Sequence, residues 1–400
     1  MIPDSLTVPP SRDRFPQWSQ RLSDGASGIV LLHAEHAHTT GEAERLHPWV
    51  QAMMRWSVAA HRKTGLYQGA PAVAFALRAA MVPGQPSRDA YGSTLAALDT
   101  TITDLVRVRL SHARARQSRG RLPLLREFDL IDGLTGLGAH LLHRDPTDPL
   151  LTEVLTYLVT LTQPVTVDGA ALPGWWTSTA PTGQPSPQWT RGHGNLGIAH
   201  GIAGPLALLA LAHRHGITVD GHTEALDTIL DFYDDHRVEH ARGPSWPATI
   251  TDPVPAAPLA GDALPDRPSW CYGTPGIARA HQLAGLALGD RARAAAAEHA
   301  LAACLSAPDQ LALLAESTLC HGLAGAVLTA WRAAADTEPG SPLAELVPHL
   351  RARLVDALAD NPPAGLGFLE GLAGVVLAVD TTAGTEPSAS RWDHCLLIAG

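Results

Sequence analysis

The chain has 400 residues and a formal net charge of −10, with 45% hydrophobic and 17% charged residues. This composition indicates a folded protein with a large core and excludes a disordered chain. The acidic balance, without a basic stripe, argues against a nucleic-acid partner.

The sequence carries no signal for export or membrane insertion. Its first residues, Met1 to Ser5, lack the basic and apolar regions of a signal peptide. The most apolar stretch, 196–212, contains His200 and Pro205, so we expect a buried helix there instead of a membrane span. The four cysteines form no dense framework, which favours a reducing compartment. We predict a cytoplasmic protein, with any membrane association arising through its partners.

A Gly-x-x-Gly turn followed by an apolar run recurs along the whole chain. Each run is hydrophobic nearly all round and rich in Ala and Leu, which predicts buried helices. Glycine at a helix start permits a tight turn and close backbone approach. The second copy carries Ala72 in place of its second glycine. The seven copies begin at Gly25, Gly69, Gly133, Gly201, Gly273, Gly322 and Gly371.

Amphipathic, more charged segments lie between these copies and are predicted to form outer helices. A period of about 45 to 50 residues fits two helices and two turns. Seven inner and seven outer helices that close on themselves make an all-α fold, an α/α toroid or double α-barrel. Closure buries the faces that an open array would expose. The predicted outer segments are 42–62, 89–117, 147–162, 221–240, 290–305, 341–360 and a short segment at 391–399.

Two longer intervals are predicted to hold insertions within a single domain that spans residues 1–400. The first, near 163–194, is rich in Pro, Gly, Thr and Trp, and Asp168-Gly169 within it predicts a hairpin turn. The second, near 241–267, contains six prolines.

The residue before each first glycine is polar, although the helices that follow are apolar. If the copies are equivalent, these residues converge on one end of the barrel, here called the mouth. Cys271 and Cys320 each stand one residue further back in consecutive copies, so we expect their thiols to be neighbours. The seven polar residues are Asp24, Gln68, Asp132, His200, Tyr272, His321 and Glu370.

Two thiolates and an imidazole, from Cys271, Cys320 and His321, are the ligand set of a zinc site with one open position, as in catalytic zinc. Spacing leaves this assignment open, because no Cys-x-x-Cys motif is present and a Cys in an Ala-rich helix is commonly a small core residue. We interpret the remaining cysteines, Cys304 and Cys395, as core residues of that kind. Three of the seven polar residues that precede a first glycine are interpreted as helix caps. These are Asp24, Gln68 and Glu370.

Six arginines cluster between Arg107 and Arg121. We interpret them as a solvated helix face. The alternative is a docking site for an acidic peptide segment.

Three motifs taken together resemble the lanthipeptide cyclase (LanC-like) family. They are GNLGIAHGIAGPL at 194–206, RPSWCYGTPG at 267–276 and LCHGLAG at 319–325, and the resemblance runs from about residue 24 to residue 379. It implies a double α-barrel toroid, in agreement with the repeats. The chain is too short to add a dehydratase or kinase module, so the resemblance indicates a stand-alone cyclase of the class I type.

The resemblance also implies a site. In this site three residues would bind one zinc ion, and four others would take part in the reaction. The implied zinc ligands are Cys271, Cys320 and His321. The implied catalytic residues are His200, Asp132, Arg267 and Tyr272.

The activity implied is Michael-type addition of precursor-peptide Cys thiols to dehydroalanine or dehydrobutyrine, which forms lanthionine and methyllanthionine thioether rings. Zinc would lower the pKa of the thiol, and His200 would transfer the proton, with Asp132 holding its tautomer. Arg267 or Tyr272 would stabilise the enolate. The implied partners are a dehydrated precursor with leader and core, a dehydratase and a transporter.

Two other functions fit parts of the pattern. An α/α-barrel prenyltransferase also binds zinc and a thiol substrate, but it has six hairpins and a carboxylate among its ligands, against the seven glycine turns and the Cys320-His321 pair here. A LanC-like scaffold that binds zinc and thiols without closing rings is disfavoured by His200 and Asp132.

Overall fold

The structure, a computed structural model, describes residues 2–10, 16–84, 87–241, 243–254 and 267–400. All seven glycine-led runs form helices, which confirms the predicted inner set. They are α1 (Ala26–Thr40), α3 (Ala70–Ala79), α6 (Leu134–Arg144), α8 (Ala203–Arg214), α10 (Thr274–Leu288), α13 (Leu323–Ala335) and α15 (Leu372–Thr381).

The inner helices form a closed ring, in which each packs against the next along the chain and α15 packs against α1. Closure leaves no exposed apolar end, which is what the toroid prediction required. Outer helices pack on the inner helices that precede them. They are α2 (Leu46–Met53), α4 (Ser87–Gln117), α7 (Pro149–Thr160), α9 (His222–Asp235), α11 (Arg291–Ser306) and α14 (Pro342–Asp360).

The two sets of helices begin in different ways. The side chains of Asp148, Asp290 and Ser341 cap α7, α11 and α14 by accepting hydrogen bonds from backbone N–H groups. No inner helix has a side-chain cap, so the interpretation of Asp24, Gln68 and Glu370 as helix caps is wrong; six inner helices follow a glycine directly, and α8 follows Ile202. In α13, the N–H groups of the first turn donate instead to backbone carbonyls of the preceding loop.

Backbone hydrogen bonds join the glycine turns of neighbouring copies into a ring. In each pair, the backbone N–H of a residue two or three positions before the first glycine of one copy is the donor. The acceptor is the backbone carbonyl of the residue two positions before the first glycine of the next copy, at 2.7–3.4 Å. The pairs are Leu22–Tyr67, Leu130–Ala199, Ala199–Cys271, Cys271–Cys320, Cys320–Leu369 and Leu369–Ser23. The last pair links the seventh copy to the first and closes the ring.

The second glycine, present in every copy except the second, lets the first turn of each inner helix pack directly against the loop that precedes it. A Cβ atom at Gly276 or Gly325 would lie 2.1 or 1.9 Å from the carbonyl oxygen of Trp270 or Leu319, closer than atoms can pack. The second copy, which carries Ala72, is joined to the third by a side chain: Arg109 donates to the carbonyls of Thr64, at 2.6 Å, and Asp132.

The seventh predicted outer segment differs from the prediction. Within the described residues six outer α-helices are present, and the chain after α15 instead forms a buried 3-10 turn, Trp392–Leu396. Trp392 and Cys395 are 0% exposed because the segment turns into the barrel. Asp393 of this segment is also buried, and it pairs with Arg332 of α13 instead of facing solvent.

The C-terminal segment contacts the inner helices from inside the ring. Its carbonyls at Cys395, Leu396 and Ile398 accept hydrogen bonds from Tyr67, Trp270 and Arg279, at 2.9–3.0 Å. Tyr67 and Trp270 belong to the glycine turns at the mouth. The segment therefore supports the mouth from below.

Both insertions were predicted from composition, and the described parts form short hairpins. In the first, β1 (Val165–Val167) pairs with β2 (Ala170–Leu172) around Asp168 and Gly169, as predicted, and both turn residues have positive φ. The remaining strands are β3 (Gly194–Asn195), β4 (Val238–His240), β5 (Gly243–Ser245) and β6 (Thr249–Ile250). β3 pairs with β6 and so joins the two insertions. Residues 255–266 of the second lie outside the described residues.

Two short helices, α5 (Leu125–Phe128) and α12 (Pro308–Ala312), lie in loops before inner helices. In the described part of the chain, no helix combines the length and hydropathy that crossing a membrane requires.

The position of Trp392 predicts its contribution to stability. Trp392→Ala should lower the free energy of unfolding by about 3–5 kcal/mol, because it leaves a cavity inside the barrel. Chemical denaturation measures the change. The matched control is Trp56→Ala, since Trp56 is 47% exposed and should cost far less. Equal stability of the two variants would contradict the buried position of the C-terminal segment.

Candidate active site

The backbone ring sets Cys271 and Cys320 side by side at the mouth. The N–H of Cys271 donates to the carbonyl of Cys320 at 3.2 Å, and that of Cys320 to the carbonyl of Leu369 at 2.8 Å. Both cysteines hold the same position in consecutive copies, so their side chains leave the backbone in equivalent directions. Their predicted proximity is confirmed.

Cys271, Cys320 and His321 form a compact group whose potential ligand atoms all lie within 4.8 Å of one another. Cys271 is buried, and the other two are half-buried. The contact with Cys320 lowers the pKa of the Cys271 thiol, and the same contact raises the pKa of Cys320, because one proton serves two sulfurs. Among the described residues, no other three such side chains meet this spacing.

His200 is hydrogen-bonded to an aspartate, but not to the one predicted. Its Nδ1 lies 2.7 Å from Oδ2 of Asp129, which is almost fully buried. The expectation that Asp132 holds the His200 tautomer is therefore corrected. Asp129 lies in the turn at the end of α5, and its other oxygen accepts the backbone N–H of Asp132 at 2.8 Å. The chain leaves α5 at Asp129 in an extended conformation and bends through 130–133, so the two acids point in different directions and only Asp129 bonds the imidazole.

The charges around His200 keep it basic. Burial is the largest influence and lowers the pKa of His200, but the hydrogen bond to Asp129 and the charges of Asp129, Asp132 and Cys271 together outweigh it. The net pKa is raised above its ordinary value. Asp132 thus acts on His200 through its charge, and burial together with Asp129 raises the pKa of Asp132 itself.

Tyr272 stacks beside His200, with ring centroids 6.3 Å apart and planes at 29°. Asn195 Nδ2 donates to its hydroxyl at 3.1 Å. Burial raises the pKa of Tyr272 to about 12, so the phenol stays protonated. Since its oxygen already accepts a hydrogen bond from Asn195, the phenol proton is available to another acceptor at the mouth.

Arg267 is exposed at the rim of the mouth. Its carbonyl accepts the N–H of Ser269 at 2.9 Å, which shapes the loop before α10. Its guanidinium lies close enough for its charge to act on Cys320 and His321.

Two residues at the mouth, Asn195 and Glu316, were not predicted from the sequence, although their position in the repeat could have indicated them. Arg267 stands six residues before the first glycine of its copy, and Asn195 and Glu316 hold the same position in the neighbouring copies. Asn195 contacts Tyr272, and Glu316 lies 3.1 Å from His321. The prediction used the positions one and two residues before each first glycine, and it included Arg267 only through the family resemblance.

A small cavity of about 230 Å³ opens beside His200. One wall is 124–126, at the start of α5, and the other is the turn 179–184 of the first insertion, while Asp129 and Asp132 also line it. The turn is fixed by backbone bonds between Ala180 and Gln184. Leu124 is 38% exposed at the rim. The cavity therefore combines an apolar edge with the polar groups around His200.

The arginine-rich run on α4 is largely paired within the chain. Arg114 contacts Glu153 at 2.9 Å, Arg116 contacts Glu127 at 2.8 Å, and Arg109 binds backbone carbonyls between two copies. The solvated-face interpretation is therefore wrong for Arg109 and Arg116, which are half-buried between elements, whereas Arg114 stays exposed beside Glu153 as that interpretation predicts. Because these guanidiniums already have partners within the chain, the alternative of a docking site for an acidic peptide segment is also weakened.

The two other cysteines are core residues, as interpreted. Both are buried, and burial raises the pKa of Cys304 to about 12. Cys395 Sγ donates to the carbonyl of Trp392 inside the C-terminal turn.

Comparison with known proteins identifies the class to which this fold and this mouth belong. The model of the family described as "Lanthionine synthetase C-like protein" matches residues 16–397. The chain therefore belongs to the lanthionine synthetase C-like family, which confirms the resemblance in the three motifs.

One curated relative and one solved structure show how far the similarity extends. The nisin biosynthesis protein NisC of Lactococcus lactis subsp. lactis is 24% identical over 379 residues, covering 92% of this chain and 87% of the relative. The solved structure of nisin cyclase aligns with a TM-score of 0.78 at 22% identity, covering 97% of this chain and 93% of that one. The toroid is thus shared along nearly the full length.

The two aspartates near His200 can be distinguished by titration. Asp129→Asn removes a charge in direct contact with the imidazole, so the pKa of His200 should fall. Asp132→Asn removes only a neighbouring charge and should lower it less. NMR titration of the His200 ring measures both values, with His200→Asn identifying its signals. A larger fall in the Asp132 variant would contradict the assigned hydrogen bond.

Proposed function

We propose that this protein is a zinc-dependent lanthipeptide cyclase, which closes thioether rings by adding precursor-peptide cysteines to dehydroalanine or dehydrobutyrine. The observation that carries the proposal is the group Cys271, Cys320 and His321 next to the His200–Asp129 pair. Membership of the lanthionine synthetase C-like family supports it, as does the likeness to a nisin biosynthesis protein and to nisin cyclase.

The donor set fits zinc. Two soft sulfurs and one imidazole are preferred zinc ligands, and ligands bound at ~2.0–2.3 Å to one tetrahedral ion lie within ~4 Å of one another. Atoms already within 4.8 Å need only a small shift to reach this arrangement. Three protein ligands leave a fourth position for substrate, as in catalytic zinc sites. When bound, zinc lowers the pKa of a coordinated thiol and so supplies a thiolate at neutral pH.

The reaction needs one proton transfer besides the carbon–sulfur bond. The substrate sulfur bonds to the β-carbon of the dehydroamino acid, and the π electrons move to the enolate. The α-carbon then takes a proton, so atoms are conserved and the peptide mass does not change. In our proposal His200 delivers this proton, or first accepts the thiol proton, with Asp129 fixing its tautomer. The charge of Asp132 adds to its basicity.

Charge develops on the enolate oxygen and needs a donor. Tyr272 retains its proton and has its oxygen oriented by Asn195, so we assign it as a hydrogen-bond donor to this oxygen. Arg267, exposed in the loop before Tyr272, is proposed to stabilise the same charge or to bind the peptide.

The peptide itself is proposed to cross the mouth between the metal group and the cavity beside His200. His200 lies between the two, next to Tyr272 on one side and to Asp132 and the 179–184 turn on the other. This path places the dehydroamino acid of the peptide near His200, the proposed proton donor. This chemistry requires a dehydratase that supplies the dehydrated precursor, and we propose a transporter that exports the product as a further partner.

The two alternative functions give different outcomes. The closed ring of seven inner helices and the family membership disfavour a prenyltransferase. A zinc-binding scaffold without ring closure would bind metal and thiols but leave a dehydrated peptide unchanged.

Metal content tests the ligand assignment. The purified protein should contain about one zinc per chain, and Cys271→Ala and Cys320→Ala should each lose it while remaining folded, because the toroid has its own core. Elemental analysis and circular dichroism measure the two properties. Cys304→Ala is the matched control and should keep its zinc. Full zinc content in both ligand variants would contradict the assignment.

Ring closure tests the activity and the role of His200. A dehydrated precursor incubated with the protein should lose alkylatable thiols without changing mass. His200→Asn should retain zinc and fold but lose about 10²-fold or more in rate, the usual scale for general acid–base catalysis. If His200 only fills a polar niche, the variant should lose about 1–3 kcal/mol of stability and keep its rate per folded molecule.

A further inference from the structure

A cavity of about 270 Å³, here called the lower cavity, lies at the end of the barrel opposite to the mouth. The inner helices begin at the mouth, and the C-terminal ends of α6, α8 and α13 line this cavity together with the C-terminal segment. It shares no residue with the proposed metal group or with His200. The polar side chains on its walls are His143, His215, Arg332, Ser388, Arg391 and His394.

The charge on these walls is one-sided. Among the described residues that line the lower cavity, two are arginines, three are histidines and none is Asp or Glu, although the whole chain has a net charge of −10. The guanidinium of Arg332 is neutralised by Asp393, whose other oxygen accepts from Ser388 at 2.7 Å. Arg391 is exposed at the rim and forms no ion pair with the residues that the structure describes. One positive charge therefore remains uncompensated.

Two histidines add unused hydrogen-bonding capacity. The rings of His143 and His394 meet edge to face, with centroids 5.3 Å apart and planes at 62°. Nδ1 of His143 is buried and has no hydrogen-bond partner among the described residues. Burial, and then the charges of nearby basic groups, lower the pKa of both rings to about 3, so both are neutral near pH 7. A neutral imidazole can still donate one N–H.

The field inside the lower cavity is positive. After burial, the largest effects on the pKa of His143 and His394 come from basic groups, and each of them opposes protonation. They reach the two rings from α3, α13, the end of α8 and the C-terminal segment. These groups are Arg78, Arg332, His215 and Arg391, in addition to the two rings themselves.

Helix ends explain only part of this cluster. Basic residues in the last turn of a helix balance its partial negative charge, which accounts for His143, His215 and Arg332. Arg391 and His394 belong to the C-terminal segment and end no inner helix. Their convergence on the same cavity is better explained by a ligand.

We propose that the lower cavity binds a tetrahedral oxyanion of the phosphate type, held by Arg391 and by N–H groups of His143 and His394. The donors come from separate elements and so approach the ligand from different directions. A tetrahedral oxyanion has acceptor oxygens on all sides and can meet donors of this kind, and a guanidinium pairs well with such oxygens. The site is independent of the zinc and thiol chemistry proposed above.

A bound anion would also hold the C-terminal segment in place. Arg391 and Leu397 flank the turn Trp392–Leu396, and their φ angles of 57° and 55° are rare for residues other than glycine. A ligand that binds Arg391 and His394 together would stabilise this strained turn. The carbonyl of Leu396 accepts from Trp270 below the mouth, so the anion would stabilise the support of the mouth from the far end of the barrel.

Sulfate binding to the full-length protein, measured by isothermal titration calorimetry at constant ionic strength, tests the inference. The wild type should bind about one sulfate per chain with saturation, and sulfate should raise its melting temperature more than chloride does. Arg391→Gln should weaken binding by about tenfold or more, because a hydrogen bond to a charged group is lost. Arg291→Gln is the matched control, since the Arg291 side chain is 85% exposed and lies outside the cavity. It should bind sulfate like the wild type.

A second pair of variants tests the imidazole. His394→Leu should weaken sulfate binding, whereas His394→Gln keeps an N–H donor and should recover part of the affinity. Circular dichroism checks that each variant is folded. Inorganic phosphate and phenyl phosphate then distinguish a free anion from an ester, because only the ester can use the apolar wall around Leu142 and Leu211.

The inference would be overturned if sulfate did not saturate, because such binding is general ionic screening. Equal affinity in the wild type, Arg391→Gln and His394→Leu would also overturn it, since the anion would then bind elsewhere. Neither measurement uses zinc or peptide, so either failure leaves the proposed function untouched.

Discussion

The close approach of the glycine turns is the constraint on which the structure depends. At Gly276 and Gly325 the space that a Cβ would need is taken by a backbone carbonyl of the preceding loop. Each loop therefore packs against the start of its own helix, and its carbonyls accept from backbone N–H groups there without side-chain caps. Backbone hydrogen bonds also join the turns of neighbouring copies, and the bond from Leu369 to Ser23 closes the ring.

This arrangement frees side chains at the mouth for chemistry. Because the backbone itself caps the inner helices, the polar residues beside the glycines are not needed as caps. Cys271 and Cys320 are brought together by a hydrogen bond between their own backbones. Their positions are thus set by the rigid part of the fold, which is where preorganised binding sites are best placed.

Two irregular parts of the chain complete the site. The C-terminal segment fills the barrel and binds Tyr67 and Trp270, the residues under the mouth. The first insertion brings the turn 179–184 to the cavity beside His200. The regular ring therefore supplies the cysteine–histidine group and the His200–Asp129 pair, while the insertion shapes the space next to them.

The sequence by itself determined the seven inner helices, the closed toroid and the proximity of Cys271 and Cys320. Repetition made this possible, because equivalent positions in equivalent copies must lie at one end of a closed ring. The Asp168-Gly169 hairpin followed from local turn chemistry in the same way. The tertiary structure decided what repetition does not encode. It selected Asp129 over Asp132 as the partner of His200, since both acids are close in sequence but only one side chain turns toward the ring. It turned the C-terminal segment into the barrel, where Asp393 pairs with Arg332, and it paired arginines of α4 with acids and carbonyls brought near by packing.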